Sequence, residues 1–75
     1  MGIKLETHDL LLAVRHGAIS RAGLVRRLED IECRAPADFA CQFTKATTWA
    51  RHGQISLLIA QLESIVGDPR FATRH

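Results

Sequence analysis

The chain has 75 residues, of which 47% are hydrophobic and 24% are charged, and its formal net charge is +2. A chain of this length forms one small domain, and its hydrophobic content excludes an intrinsically disordered protein. The small positive charge permits an acidic partner, but dedicated nucleic-acid modules usually carry a larger basic excess. The longest apolar runs, residues 10–14 and 57–60, are far shorter than the roughly 20 residues that cross a membrane. We therefore expect no membrane association and no secretory signal, and we predict a cytoplasmic protein.

The first predicted helix covers residues near 7–16. Thr7 suits its N-cap, because a threonine oxygen can accept a hydrogen bond from a free N–H of the first turn. Gly17 suits its end, where a left-handed residue is needed. Residues 10–14 are all apolar, and so short a helix cannot point five consecutive side chains at one core. Some of them must therefore face solvent or a partner.

The sequence RHGAIS at residues 15–20 returns almost unchanged as RHGQIS at residues 51–56. In each copy the glycine can end one helix, and the serine three residues later can cap the next. Gly17 and Gly53 are accordingly predicted to have positive φ. The hexapeptide predicts a sharp helix–helix corner that is used twice. Its spacing is near the period of helical-hairpin arrays, so both a true duplication and convergent corner chemistry remain open.

Three further helices are predicted near residues 20–33, 36–52 and 56–66. Each has an apolar stripe at helical spacing. Pro36 suits the opening turn of the third helix, and Gly67 followed by Pro69 stops the fourth. The large residues that we expect to be most buried are Leu24, Leu28, Ile31, Phe39, Phe43, Leu58, Leu62 and Ile65.

The predicted architecture is therefore an all-α, four-helix domain over residues 1–67, made of two helical hairpins and followed by a frayed tail at residues 68–75. Cys33 and Cys41 are expected to be free thiols, and no metal site is predicted, because zinc ligands usually occur in closer pairs. No nucleophile–base constellation or phosphate loop is present in the sequence. We expect a protein that is not an enzyme, with no catalytic residues, no cofactor and no small-molecule substrate.

Residues 9–30, DLLLAVRHGAISRAGLVRRLED, resemble the first two helices of phage-type helix-turn-helix repressors of the Cro and Ner group. The shared features are an apolar first helix, a short turn, and Ser20 capping a second helix with Leu24 and Leu28 inward. In that family the next helix enters the major groove of DNA. The resemblance implies a small DNA-binding regulator of the phage or plasmid type, which binds duplex DNA as a homodimer.

In this interpretation the predicted helix at residues 36–52 meets the bases. Gln42, Lys45 and Thr48 lie three residues apart and share one edge of that helix, and Arg51 follows them. Arg21, at the start of the preceding helix, is the expected phosphate contact on the same surface. These five residues are the predicted DNA-binding residues.

A protein-binding function is the alternative. Leu12, Leu57 and Trp49 are candidates for a surplus of apolar surface, although Trp49 can equally fill a small core. Such a surplus suits a homodimer, or a compact inhibitor or adaptor of the kind that mobile elements encode, docking on a larger protein. An exposed patch of Leu12 and Leu57 would favour this function, whereas Gln42 and Lys45 packed against the chain's own helices would exclude DNA binding.

Overall fold

A computed structural model describes residues 2–73, with side chains described as far as residue 71, and it contains α-helices and no strand in that range. The predicted all-α fold with four main helices is confirmed, and a short fifth helix follows them. Residues 1, 74 and 75 lie outside the description. The helices are α1 (Ile3–Arg15), α2 (Arg21–Arg34), α3 (Ala37–Arg51), α4 (Ile55–Gly67) and α5 (Pro69–Thr73).

Both copies of the repeated hexapeptide end a helix in the same way. Gly17 has φ 64° and Gly53 has φ 72°, so the prediction of positive φ is confirmed at both. In each corner the glycine N–H donates to the carbonyl three residues earlier, and the next N–H donates to the carbonyl five residues earlier. This is the pair of hydrogen bonds of a Schellman motif, and it closes α1 and α3.

The two corners differ in how the following helix begins. Ser20 caps α2 as predicted, since its hydroxyl oxygen accepts the Gly23 N–H at 3.2 Å. α4 instead has Gln54 as its N-cap residue, without a side-chain cap. The prediction that Ser56 caps this helix is wrong, because the Gln54 carbonyl already accepts the Leu58 N–H. Ser56 therefore lies inside the first turn.

α1 begins one turn before its predicted start, with Gly2 as the N-cap residue. Thr7 is fully buried inside the helix and donates its hydroxyl to the Ile3 carbonyl at 2.7 Å. The prediction that Thr7 is the N-cap is wrong, because the carbonyl four residues earlier satisfies the buried hydroxyl without ending the helix. The additional turn brings Leu5 onto the outer surface of α1.

The core confirms the predicted stripes. All eight large residues predicted to be buried have at most 2% of their surface exposed. The apolar run of α1 divides between two sides: Leu10, Leu11 and Val14 are buried, Ala13 is half-buried, and Leu12 is exposed. The prediction that this run cannot face one core is therefore confirmed, and Leu12 is the residue that faces outward.

The main helices form a ring of neighbours. The pairs predicted as hairpins, α1 with α2 and α3 with α4, are both in contact. The most extensive packing, however, joins α2 to α3, and α1 packs more extensively on α4 than on α2. The ring is therefore closed by contacts between the two predicted hairpins, and the domain is one bundle with a single shared core.

α5 packs the C-terminal segment onto the bundle. Phe71 is only 4% exposed, and its ring meets that of Phe39 edge-to-face, with the centroids 5.0 Å apart. The Arg70 guanidinium lies 5.6 Å from the centroid of the Phe39 ring. The backbone N–H of Arg70 donates to the Asp68 carboxylate at 2.8 Å. The predicted frayed tail is therefore wrong for residues 68–73, because an aromatic side chain beyond the predicted stop reaches the core.

The corner glycines generate the first testable prediction. Gly17→Ala and Gly53→Ala should each lower the free energy of unfolding by about 1 kcal/mol, because a β-carbon disfavours positive φ. Gly67→Ala is the matched control, since Gly67 ends α4 without positive φ and has open space around it. Urea denaturation should show an unchanged or raised stability for this control, and equal losses at all three glycines would contradict the corner mechanism.

The burial of Phe71 generates the second. Phe71→Ala should lower the free energy of unfolding by about 3–5 kcal/mol, because it leaves a cavity beside two aromatic rings. Phe71→Leu keeps most of the volume and should cost about 1 kcal/mol. Thermal and urea denaturation measure both variants. An alanine variant as stable as the parent chain would show that α5 does not dock on the core.

Candidate functional site

The outer edge of α3 carries the side chains predicted to contact DNA bases. Lys45 and Thr48 are exposed, whereas Gln42 is half-buried. Thr48 donates its hydroxyl to the Thr44 carbonyl at 3.0 Å, and Lys45 forms no ion pair within the described residues. Lys45 and Thr48 are therefore available to a partner, and Gln42 is only partly so.

The two predicted arginines both lie near the C-terminal end of α3. Arg51 forms an ion pair with Glu29 of α2, and both side chains remain about half exposed. Arg21 lies beside the second corner. The Nη1 atom of Arg21 is 3.3 Å from the position that a β-carbon would take at Gly53. That position is next to the carbonyl end of α3, where the helix dipole favours a cation. Arg21 is exposed and keeps its charge unpaired by any described acid.

Carboxylates lie along the contact between α2 and α3. Glu32 accepts hydrogen bonds from the hydroxyls of Thr44 at 2.8 Å and Thr47 at 3.1 Å. Glu29, nearly one turn earlier in α2, pairs with Arg51, which lies further along α3. The two helices therefore run antiparallel side by side. Negative charge follows their shared surface, where it would oppose the approach of DNA phosphates.

Large apolar side chains are exposed on only two of the described helices. Leu5 and Leu12 of α1 are 50% and 39% exposed, and Ile55 and Leu57 of α4 are 39% and 46% exposed. α1 and α4 pack against each other, so these side chains belong to neighbouring helices. We call these four residues the apolar face; the name denotes exposed apolar residues on two neighbouring helices, since Ile55 and Leu57, two residues apart, project to different sides of α4. α2 and α3 expose no comparable side chain within the described residues.

The outer surface of α4 contains almost no charge. Beyond its two members of the apolar face, its exposed residues are Ser56, Ala60, Glu63, Ser64 and Gly67. Glu63 is the charged one among them, and it forms an ion pair with Arg15 of α1. A solvated helix usually presents charged residues opposite its buried stripe, whereas charged residues are depleted at the centre of protein interfaces. This surface is therefore poorer in charge than a solvated helix surface usually is.

Trp49 differs from the other predicted interface residues. It is half-buried and packs against the core from α3, so the structure does not place it with Leu12 and Leu57 on exposed surface. The exposure of Leu5 and Ile55 was not predicted from the sequence. The spacing of seven residues from Leu12 is the signal for Leu5, but the predicted start of α1 excluded it from the helix.

The described residues give no evidence for a disulfide, a metal site or a membrane-spanning helix. Cys33 and Cys41 are free thiols, and both are exposed. No group of three or more histidine, cysteine, aspartate or glutamate side chains is arranged to hold a metal ion there. None of the described helices is long and apolar enough to cross a membrane.

Arg34 joins α1 to α2 through a forked ion pair. Its guanidinium donates to both carboxylate oxygens of Glu6 at 2.8 Å, and to Asp30 one turn earlier in α2 at 2.6 Å. These hydrogen bonds lower the pKa of Glu6 and raise the pKa of Arg34. Arg34 is consequently occupied within the domain.

This pairing generates the third prediction. Because the pKa of Glu6 is lowered by folding, its stabilisation is present above the ordinary value of 4.5 and is lost as the pH falls through the folded value. Glu6→Gln should therefore lower the urea midpoint at pH 7, and the difference should vanish in acid. Asp9→Asn is the control, because Asp9 is an exposed acid on the same helix that forms no ion pair among the described residues. An equal effect of both changes would contradict the assignment to Arg34.

No family model, no curated protein and no solved structure matches this chain. The assignment of a function therefore depends on the surfaces described above.

Proposed function

We propose that this domain acts by binding a protein, as a compact inhibitor or adaptor that docks on a larger partner through the apolar face. The observation that carries this proposal is the confinement of the exposed large apolar side chains of the described residues to α1 and α4, beside an α4 surface whose charged residue, Glu63, is paired with Arg15. Leu12 and Leu57 are both exposed, which supports this function. The proposal describes a protein that is not an enzyme.

The exposed leucines do not result from an open or incomplete fold. The accessible surface is 4653 Å², and a compact monomer of 8.4 kDa is expected to expose about 4,600 Å². The core is therefore closed without these side chains. Each half-exposed leucine that becomes buried in a complex would contribute about 1 kcal/mol of binding free energy, which supports a role in association rather than in folding.

A DNA-binding regulator of the phage or plasmid type is the second candidate. The observation in its favour is that Lys45, Thr48 and Arg21 are exposed, with both cations outside the ion pairs of the described residues. It ranks second because Arg51 is held by an acid of α2 and because Glu32 lies on the same helix contact.

A homodimer is part of both proposals, and the free thiols support a cytoplasmic location.

The fourth prediction separates the two candidates by capture of proteins from extracts of the cells that produce the domain. Leu12→Glu and Leu57→Glu should each abolish retention of a protein that the parent chain retains, because a charge on the apolar face must be desolvated. Thr48→Glu introduces the same charge on exposed α3 and should leave retention unchanged. Retention that is lost in Thr48→Glu but kept in both leucine variants would contradict the proposal.

A mobility-shift titration with random duplex DNA completes this test. We expect no shift even at low salt. A shift with steep salt dependence, whose slope falls by about one in Lys45→Ala, is the behaviour of a phosphate contact and would establish the second candidate instead.

A further inference from the structure

Buried positions of α1 recur in α3 at a constant spacing of 36 residues. The buried side chains of the two helices, in matching order, are Thr7, Leu10, Leu11 and Val14 in α1 and Phe43, Ala46, Thr47 and Ala50 in α3. From residue 5 to residue 17, each position is buried, half-buried or exposed in the same way as the position 36 residues later. α1 and α3 therefore occupy equivalent environments in the bundle.

α2 and α4 correspond to each other at a spacing of 34 residues. Their N-cap residues are Ser20 and Gln54, whose carbonyls accept the N–H groups four residues later. The buried side chains, in matching order, are Leu24, Leu28 and Ile31 in α2 and Leu58, Leu62 and Ile65 in α4. The spacing is two residues shorter than in the first pair because the N-cap residue follows Gly17 by three residues but Gly53 by one. The two hairpins therefore differ in the length of their corner and agree in their packing.

The ion pairs between the hairpins are reciprocal. Arg15, two residues before the first corner glycine, pairs with Glu63 of α4. Arg51, two residues before the second corner glycine, pairs with Glu29 of α2. The two glutamates are 34 residues apart, so they too are equivalent positions. Exchanging the hairpins reproduces the same pairs, which is the property of a twofold axis.

We infer that the domain is a duplicated helical hairpin whose two copies are related by an internal pseudo-twofold axis, so that either order of the copies along the chain specifies the same bundle. Convergent corner chemistry would not reproduce the buried positions, the N-caps and the ion pairs that lie outside the corners. By the same symmetry, the step from the end of α4 to the start of α1 is equivalent to the step from α2 to α3, which the chain makes with Ala35 and Pro36.

The fifth prediction concerns the order of the hairpins. A circular permutant begins at Pro36, joins residue 75 to residue 1 through a linker of glycine and serine, and ends at Ala35. A linker of about 12 residues reaches about 40 Å, which exceeds the longest extent of the domain, 30 Å. The permutant should unfold in urea in one cooperative transition with the slope of the parent chain, because this slope follows the surface buried on folding.

A second permutant, opened between Gly53 and Gln54 and closed with the same linker, is the matched control. It divides a hairpin at its corner and loosens the hydrogen bond from Gln54 to the Trp49 carbonyl, so its urea midpoint should lie below that of the first permutant. Loss of the cooperative transition in the Pro36 permutant, or equal midpoints in the two permutants, would overturn the inference.

A side-chain exchange tests the equivalence without changing the order of the chain. Leu12 and Thr48 are exposed equivalents, so the double variant Leu12→Thr with Thr48→Leu should keep the parent midpoint, because the helix propensity lost at one position is gained at the other. Leu12→Thr with Thr44→Leu is the control and should lower the midpoint, since Thr44 donates to Glu32 at 2.8 Å. Equal midpoints in the two double variants would contradict the equivalence.

Discussion

The fold depends on two glycines that take a backbone conformation unfavourable to other residues. Helices of 13–15 residues are marginal in isolation, so their stability must come from packing their apolar stripes together. Gly17 and Gly53 make that packing possible, because positive φ ends α1 and α3 with their last carbonyls satisfied. These two chain reversals bring α1 against α2 and α3 against α4, whereas α2 meets α3 through a third connection at Ala35 and Pro36.

Local chemistry explains which parts of the fold could be predicted. A glycine that follows basic residues in a last helical turn is well suited to end that helix. An apolar stripe at helical spacing fixes which side of the helix is buried. Capping residues are less decisive. The hydroxyl of Thr7 is satisfied inside a helix as well as at its start, and Ser56 follows a residue whose carbonyl already serves as the cap. Phe71 follows a glycine and a proline, which mark an end locally and cannot indicate that the chain returns to the core.

The candidate surfaces were predictable only in part, for a related reason. The apolar run in α1 requires at least one outward side chain, but the phase of the helix decides which one, and this phase depends on the packing against α4. The ion pair of Arg51 is even harder to predict from the sequence. Its partner Glu29 is 22 residues away, and only the antiparallel alignment of α2 with α3 brings them together. Sequence patterns therefore identify the surplus of apolar and basic residues but not their partners.

The exposed large apolar side chains and the basic residues without an acidic partner lie on different helices of the bundle. Arg15, Arg34 and Arg51 are each paired with an acid of another helix. The basic residues of α2 and α3 that form no ion pair with a described residue are Arg21, Arg26, Arg27 and Lys45. Docking through α1 and α4 would leave these cations in solvent. Charges outside a contact act mainly on the rate of encounter, so the basic side would speed association with an acidic target without contributing to the buried contact. The small positive net charge is then compatible with a protein partner and does not by itself require DNA.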